Sequence, residues 1–284
     1  MTNLTFRPEL NGLRAIAVLL VILSHLGMPQ FKGGFIGVDI FFVISGYLIG
    51  RIITTDIYNG RFSLRAFYTK RIKRILPALL SVCLFTVLIG YYLFSPVLFN
   101  KLIVNGLSSI LFFSNYFYSG NIGYFETGTQ LNPLIHTWSL SVEEQFYLLF
   151  PLSLLLLLKF QHRAIPISLI LLVTLLSFLF SYIEYYSGSR GYFFYSHTRI
   201  WEFLVDYLAV FIPTAQISKS LHQWLSSLGL ILIMVAAIYV NDSHPYPSVY
   251  TLLPVLGTFL IISFAEEQTF VNKILTTPPF LLSV

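Results

Sequence analysis

Residues 13–27 read LRAIAVLLVILSHLG, an apolar run interrupted by one guanidinium, Arg14, and one imidazole, His25. The run predicts a helix through lipid. Eleven residues at about 100° each bring both side chains to the same face, about 16 Å apart along the axis. That face would link a membrane surface to its interior. Ionisable groups inside a bilayer cost free energy and tend to line a pathway or a reaction site, so the pair is a functional signal.

The rest of the chain agrees with a lipid environment. It has 284 residues, 56% hydrophobic, 17% aromatic and 10% charged, with a mean hydropathy of +0.77. No ordinary water-soluble domain has that balance. Uncharged stretches at 75–94, 164–183, 224–240 and 247–264 approach or reach the roughly 20 residues that cross about 30 Å of hydrocarbon. They are leucine-rich and lack the alternation of membrane strands, so the fold class is an all-α polytopic integral membrane protein. The single cysteine, Cys83, excludes an internal disulfide framework. The first apolar segment is retained as a helix, because no cleavage-site pattern follows it and another apolar segment begins at once.

Charge orients the chain. Arg51, Arg61, Arg65, Lys70, Arg71, Lys73 and Arg74 stand against Asp56 alone in one short connection, which the positive-inside rule makes cytoplasmic. The amino terminus, with Arg7, is then cytoplasmic too. Confinement to a bilayer surface argues against nucleic acid and for anionic lipid or an anionic soluble ligand. Spans follow at about 13–28, 35–53 and 75–94, the third with Pro77 in its first turn. Segment 95–118 holds Lys101, Asn105 and Asn115 and is read as re-entrant or interfacial. Lys159, His162 and Arg163 mark the cytoplasmic end of a span at 138–158, which places 119–136 outside. Spans at 164–183, 192–212, 224–240 and 247–264 complete about eight transmembrane helices, with no internal repeat.

Arg14, His25, Asp39, Arg51, Glu143, Glu144, Arg199, Glu202 and Asp206 lie within these spans or at their edges, too many for helices that only anchor. For any one of them the plain alternative is an interhelical hydrogen bond or a snorkelling end group, the favoured reading for Arg51. A buried imidazole stays an available base near neutral pH, so His25 could take a proton from a hydroxyl. Asp39, on the next helix, could orient it as an acidic partner does in a hydrolytic triad. The glycines of GGFIGVD either form a turn or let the first two helices approach closely. Arg71 and Arg74, at i and i+3, share one helical face and suit phosphate recognition; a topology signal touching lipid headgroups is the alternative. A cytosolic cofactor with several phosphates, such as a coenzyme A ester, fits those charges and Arg14. Glu143 and Glu144 fall at the start of a helix, where capping explains one and the other, taken as Glu143, turns inward. His136, Trp138 and the run NYFYSGNIGYF offer stacking surfaces for a sugar, or form an interfacial aromatic belt.

Five blocks, FRPELNGLRAIAVLLVILSH, GGFIGVDIFFVISGYLIG, RIKRILPAL, HTWSLSVEEQFYLLFP and TRIWEF, together resemble the membrane-bound acyltransferase family 3, in particular its bacterial O-acetylase branch. They run in order over nearly the whole chain, which is more specific than any short motif. The resemblance implies transfer of an acyl group, usually acetyl, from cytosolic acyl-CoA to a hydroxyl of an extracytoplasmic glycan at the bacterial inner membrane, with no metal. The matching residues are Arg14 and His25, with His25 presumed catalytic, Arg71 and Arg74, a basic pair that helps hold the donor, the acidic pair Glu143 and Glu144, and Arg199, Trp201 and Glu202. Taken with the residue-level reading, the expected sites are His25, Asp39 and Glu143 as catalytic, Arg14, Arg71 and Arg74 on acetyl-CoA, and Glu144, Trp138, Arg199 and Glu202 on the acceptor. Asp206 departs from the family pattern, where small residues are usual. Residues 1–284 correspond to the family's membrane domain without its last two helices and without the SGNH domain often fused to it. A fragment, a frameshifted product or one half of a split protein is implied, with weak or no activity alone and a separate SGNH-type protein or the missing half as a candidate partner.

The mechanism expected from these residues places the donor on Arg14, Arg71 and Arg74, with His25 either removing the acceptor's proton or carrying the acyl group itself. A transporter of acyl groups or sugars is the rival from another class, since intramembrane His, Asp and Glu also relay protons. A non-catalytic membrane partner is the third reading. Lipopolysaccharide, peptidoglycan, capsule and secreted sugar all remain open as acceptor.

Overall fold

The computed structural model describes residues 7–120, 124–125, 132–157, 164–189, 191–212 and 216–278, and every regular element among them is a helix. In chain order these are α1 (Pro8–His25), α2 (Gly37–Tyr58), α3 (Leu64–Leu93), α4 (Pro96–Ile110), α5 (Ser114–Ser119), α6 (Thr137–Leu157), α7 (Ala164–Tyr186), α8 (Ile200–Ala209), α9 (Lys219–Tyr239), α10 (Leu252–Phe264) and α11 (Phe270–Leu275). Lys159, His162 and Arg163, used above for orientation, lie outside the described residues, as do 279–284.

Six helical stretches among the described residues are long and apolar enough to cross a membrane: Pro8–His25, Pro29–Tyr58, Leu64–Leu93, Thr137–Leu157, Pro166–Tyr186 and Lys219–Tyr239. The chain is a multi-pass membrane protein. Two of the eight expected spans are shorter than expected. Segment 192–212 consists of two 3-10 turns, Tyr192–Phe194 and Ser196–Thr198, and the ten-residue α8. The Thr198 hydroxyl bonds the carbonyls of Tyr192 and Tyr195 at 2.8 and 2.7 Å, local bonds that compete with a regular helix. Segment 247–264 begins with a 3-10 turn, Val249–Thr251, and continues as the 13-residue α10.

The third span also departs from expectation. It is a 30-residue helix starting at Leu64, where the Ser63 hydroxyl accepts from the Ala66 N–H at 3.4 Å, so Pro77 sits inside it rather than in its first turn. Segment 95–118 is a broken pair, α4 and α5, with Phe112 between them at φ 53°. The break is held from α6, whose Gln145 amide donates to the Phe112 carbonyl at 2.8 Å and to the Asn115 Oδ1 at 2.9 Å.

The chain divides into two compact units. The first comprises Met1–Ile52, Ile167–Tyr182 and Ile200–Val284; the second comprises Ile53–Pro166 and Ile183–Arg199. In the first, α1 packs on the 3-10 segment Pro29–Ile36, which also packs on α9, and α9 pairs with α10. A Cβ at Gly34 would collide with the Leu20 carbonyl oxygen of α1, so the glycine run both turns the chain and lets it lie against the first helix. In the second unit α3 packs on α4, and α5 packs on α6 and on the turn Tyr192–Phe194. A chain of hydroxyls, Ser109 to Thr137 at 2.7 Å, Thr137 to Ser114 at 3.1 Å and Ser114 to Ser141 at 2.8 Å, ties α4, α5 and α6 together. Polar groups that would be costly in hydrocarbon satisfy one another here.

Candidate active site

Arg14 and His25 stand on one uninterrupted helix, so the spacing expected between them holds. Arg14 is half-buried and donates to the Asn11 Oδ1 at 3.4 Å. His25 is the last residue of α1 and is exposed, which corrects the expectation of a buried imidazole. The helix ends there because Leu26 caps it and Gly27 follows at φ 71°, the left-handed geometry that glycine accepts. His25 Nδ1 lies 2.8 Å from the Val21 carbonyl oxygen. A carbonyl only accepts, so Nδ1 carries the hydrogen and a neutral ring has its lone pair on Nε2.

Asp39 occupies the first turn of α2 and is 1% exposed. Its Oδ2 accepts the Tyr246 hydroxyl at 2.6 Å, and Tyr246 is itself buried with its ring edge-on to Phe35. The sequence proposed His25 as the group that Asp39 orients; the structure adds a tyrosine from 207 positions away, which no local pattern announces.

The second unit gathers another set. The Arg71 guanidinium lies over the Tyr147 ring at 4.5 Å and the Phe67 ring at 5.7 Å. The Tyr147 hydroxyl donates to Glu143, one helical turn earlier, and Arg71 also acts electrostatically on Glu144. Arg71, Tyr147, Glu143 and Glu144 thus form one cluster between α3 and α6. Arg74 is exposed where Arg71 is half-buried. Because α6 starts at Thr137 and has no acidic group in its first turn, neither glutamate is a cap. Both are half-buried, so burial does not single out Glu143. The i, i+4 relation of Glu143 and Tyr147 was available from spacing alone.

Trp138 is 1% exposed and enclosed, with the Arg199 guanidinium 5.6 Å from its ring and 4.6 Å from that of Phe193, which in turn stacks on Tyr124 at 4.2 Å. Arg199 also donates through Nε to the Phe193 carbonyl at 3.2 Å. Trp138 therefore offers no open face for a sugar, and Glu202, at 0% exposure in the first unit, is equally enclosed. His136 is exposed. Asp206, the departure from the family pattern, is fully buried with neither carboxylate oxygen hydrogen-bonded, and the Arg7 guanidinium acts on it electrostatically. Among the described residues, no three His, Cys, Asp or Glu side chains come together as metal ligands would.

A helical membrane protein with an arginine and an imidazole on one helix face, and an arginine beside paired carboxylates, has the equipment for proton transfer and for holding an anionic ligand. The chain belongs to the acyltransferase family: the acyltransferase domain matches residues 7–276. It is similar to O-acetyltransferase OatA of Staphylococcus aureus (strain NCTC 8325 / PS 47), 37% identical over 274 residues that make up 92% of this chain and 44% of that protein. It is also similar to peptidoglycan O-acetyltransferase OatA of Listeria monocytogenes, 32% identical over 288 residues, 96% of this chain and 46% of the relative. The chain thus spans about half the length of the curated relatives it matches. No solved structure matches.

Proposed function

We propose that this chain forms the membrane part of an O-acetyltransferase that takes acetyl from a cytosolic acetyl-CoA donor and places it on a glycan hydroxyl outside the inner membrane, with peptidoglycan as the acceptor. One observation carries this reading: similarity to proteins named O-acetyltransferases over 92% of the chain, one relative at 96% being named for peptidoglycan. The donor, when bound, supplies the acetyl thioester. His25 removes the acceptor hydroxyl's proton through Nε2 as the new C–O bond forms and the C–S bond breaks, with the thiolate leaving toward the cytoplasm; the tautomer set by the Val21 carbonyl supports that assignment. Asp39, in the first unit, and Glu143, in the second, are the acidic residues assigned to the reaction. Arg71 and Arg74 recognise donor phosphate, as their forked donors allow, and Arg14 assists. Arg199, Trp138 and Glu144 in the second unit, and Glu202 in the first, are assigned to supporting the acceptor, Trp138 and Glu202 from buried positions. The amino terminus is cytoplasmic.

The test is mass spectrometry of cell-wall glycan from cells with and without the gene, followed by acetyl-CoA turnover by the purified chain in lipid nanodiscs. Acetyl ester on muramic acid that depends on the gene is the expected result. Substrate flux without thioester consumption would instead make the protein a transporter.

A further inference from the structure

The first unit contains a cavity of about 560 Å³ that the sequence did not signal, lined by Arg7, Tyr47, Arg51, Ser263, Glu266 and Asn272 among others. It sits where the start of α1, the middle of α2 and the chain after α10 converge. The Tyr47 hydroxyl accepts from Arg7 Nη1 at 2.7 Å and from Arg51 Nη1 at 3.3 Å, and both guanidiniums also lie against the Tyr47 ring, at 5.3 and 5.9 Å. Two cations drawn to one tyrosine at the wall of a cavity are costly unless anions neutralise them.

The anions present are unevenly shared. Arg7 is fully engaged: Nε on Glu9 at 2.5 Å, Nη2 on the Ile262 carbonyl at 2.7 Å and Nη1 on Tyr47. It also offsets the buried Asp206. Glu266 faces the Nε2 of His222 at 3.6 Å, while His222 Nδ1 donates to the Phe264 carbonyl at 3.2 Å. Glu267 is exposed. Arg51 spends one long hydrogen bond on Tyr47, leaving four of its five N–H groups for something else. Nearby in the wall, the Ser263 Oγ is buried without a hydrogen-bond partner. A half-buried guanidinium with unused donors, in a cavity whose wall also holds an unsatisfied hydroxyl and the carboxylates Glu9, Glu266 and Glu267, suits a phosphate ester, to which arginine binds through two parallel N–H bonds. The volume falls within the roughly 300–1,000 Å³ of small-molecule sites.

We infer that this cavity receives a phosphate ester of the soluble acyl donor, with Arg51 as its principal contact, Tyr47 fixing the Arg51 fork and Ser263 completing the wall. The inference rests on the acetyl-CoA reading above and adds Arg51, in the first unit, to the residues proposed to meet the donor. Anionic lipid headgroups carry the same phosphate chemistry, so the test must tell the two sources apart.

Coenzyme A binding is measured by equilibrium dialysis on the full chain in nanodiscs of phosphatidylcholine, with and without phosphatidylglycerol, for the parent protein and for Arg51→Gln, Arg51→Lys, Tyr47→Phe and, as a control, the exposed Arg61→Gln, whose partner is Asp56. Acetyl transfer is followed in parallel. Arg51→Gln should weaken coenzyme A binding about tenfold or more, as loss of a charge-assisted contact does. Arg51→Lys should fall between, Tyr47→Phe should weaken it a few-fold, and Arg61→Gln should leave it unchanged. Should Arg51→Gln fail to fold, the graded losses in Arg51→Lys and Tyr47→Phe decide the matter. Unchanged affinity in the folded Arg51 variants overturns the cavity assignment, as does a parent protein that binds no coenzyme A. If phosphatidylglycerol displaces coenzyme A in the parent but not in Arg51→Gln, the cavity is a lipid site and the inference also fails. Arg51-dependent binding without acetyl transfer would leave the donor site standing and sink the proposed reaction; transfer with Arg51-independent binding would do the reverse.

Discussion

Pro29–Tyr58 and Leu64–Leu93 are equally long and almost equally apolar, with mean hydropathies of 1.9 and 2.1 over an 18-residue window of each, yet 72% of the first window is buried in the protein and only 17% of the second. Hydropathy records that a segment avoids water; it does not record whether lipid or protein replaces the water. Burial follows from what side chains allow. Along the first stretch glycines admit neighbouring backbone: a Cβ at Gly46 would strike the Phe203 carbonyl, and Phe42 stacks on Phe203 at 4.6 Å. Along α3 a row of large apolar side chains, among them Val82, Leu84, Phe85, Leu88 and Ile89, remains exposed, as a lipid-facing wall requires. Fixed polar groups sit in the first stretch, whereas α3 carries its charges at one end.

The largest effect expected from breaking this contrast is catalytic. His25 ends the helix that packs against the buried stretch, yet is itself exposed, so His25→Ala should leave folding intact while lowering acetyl transfer by about 10²- to 10⁴-fold. Glycan O-acetyl content, read with protein level and melting temperature, checks this. Near-normal turnover would remove His25 from the mechanism.

Next comes backbone contact. Gly46→Ala drives a methyl group into the Phe203 carbonyl, which cannot step aside without moving α8; destabilisation of about 3 kcal/mol is expected, at the upper end for overpacking. Gly90→Ala on α3 meets side chains only, the buried Leu102 and the Phe94 ring, which give way more readily than backbone, so a smaller loss of about 1 kcal/mol is expected. Melting temperatures of the two variants in one detergent make the comparison direct, and equal losses would show that a glycine packed on backbone and a buried glycine packed on side chains do not differ in this way.

Much of this was legible beforehand, because long leucine-rich runs have few alternatives in lipid; α1, α6, α7 and α9 lie close to where hydropathy puts them. What escaped had local causes. The start of α3 was misplaced because basic residues 65–74 look like a loop, although Ser63 and Ala66 had the spacing of a cap. Segment 192–212 was apolar enough to suggest a span, but Thr198 diverts two carbonyls into turns. Arg14, His25, Arg71 and the two glutamates stand out in the sequence as charge in an apolar setting. Tyr246, Tyr47 and the Arg51 cavity were not, since they depend on which distant segments meet, and Trp138 was misjudged because an aromatic residue looks the same in sequence whether it lines a groove or fills a core.

A smaller effect is expected at Asp39. Tyr246→Phe removes the hydroxyl that satisfies a carboxylate at 1% exposure, and leaving such a group without that bond costs about 1–3 kcal/mol. The melting temperature should drop, and adding Asp39→Asn to the Tyr246→Phe variant should recover part of the loss by removing the charge. No recovery would mean that the Tyr246 ring, through its packing on Phe35, matters more than its hydroxyl.

The smallest effects belong to the basic end of α3, and they separate two arginines that the sequence treats as a pair. Arg71 is half-buried over Tyr147, a stacking contact of about 0.5–1 kcal/mol or more; Arg74 is exposed. Arg71→Ala should therefore raise the KM for donor and also lower the melting temperature by a degree or two, because Tyr147 and its bond to Glu143 lose their cover. Arg74→Ala should raise KM by a similar few-fold factor with no change in stability, and that rise should shrink as salt is added, since an exposed guanidinium acts through a screened field. Steady-state kinetics at two ionic strengths distinguish the pair. If the two substitutions behave alike in both stability and salt response, the cluster of Arg71, Tyr147 and the glutamates has no role of its own, and the basic end of α3 is a uniform charged surface.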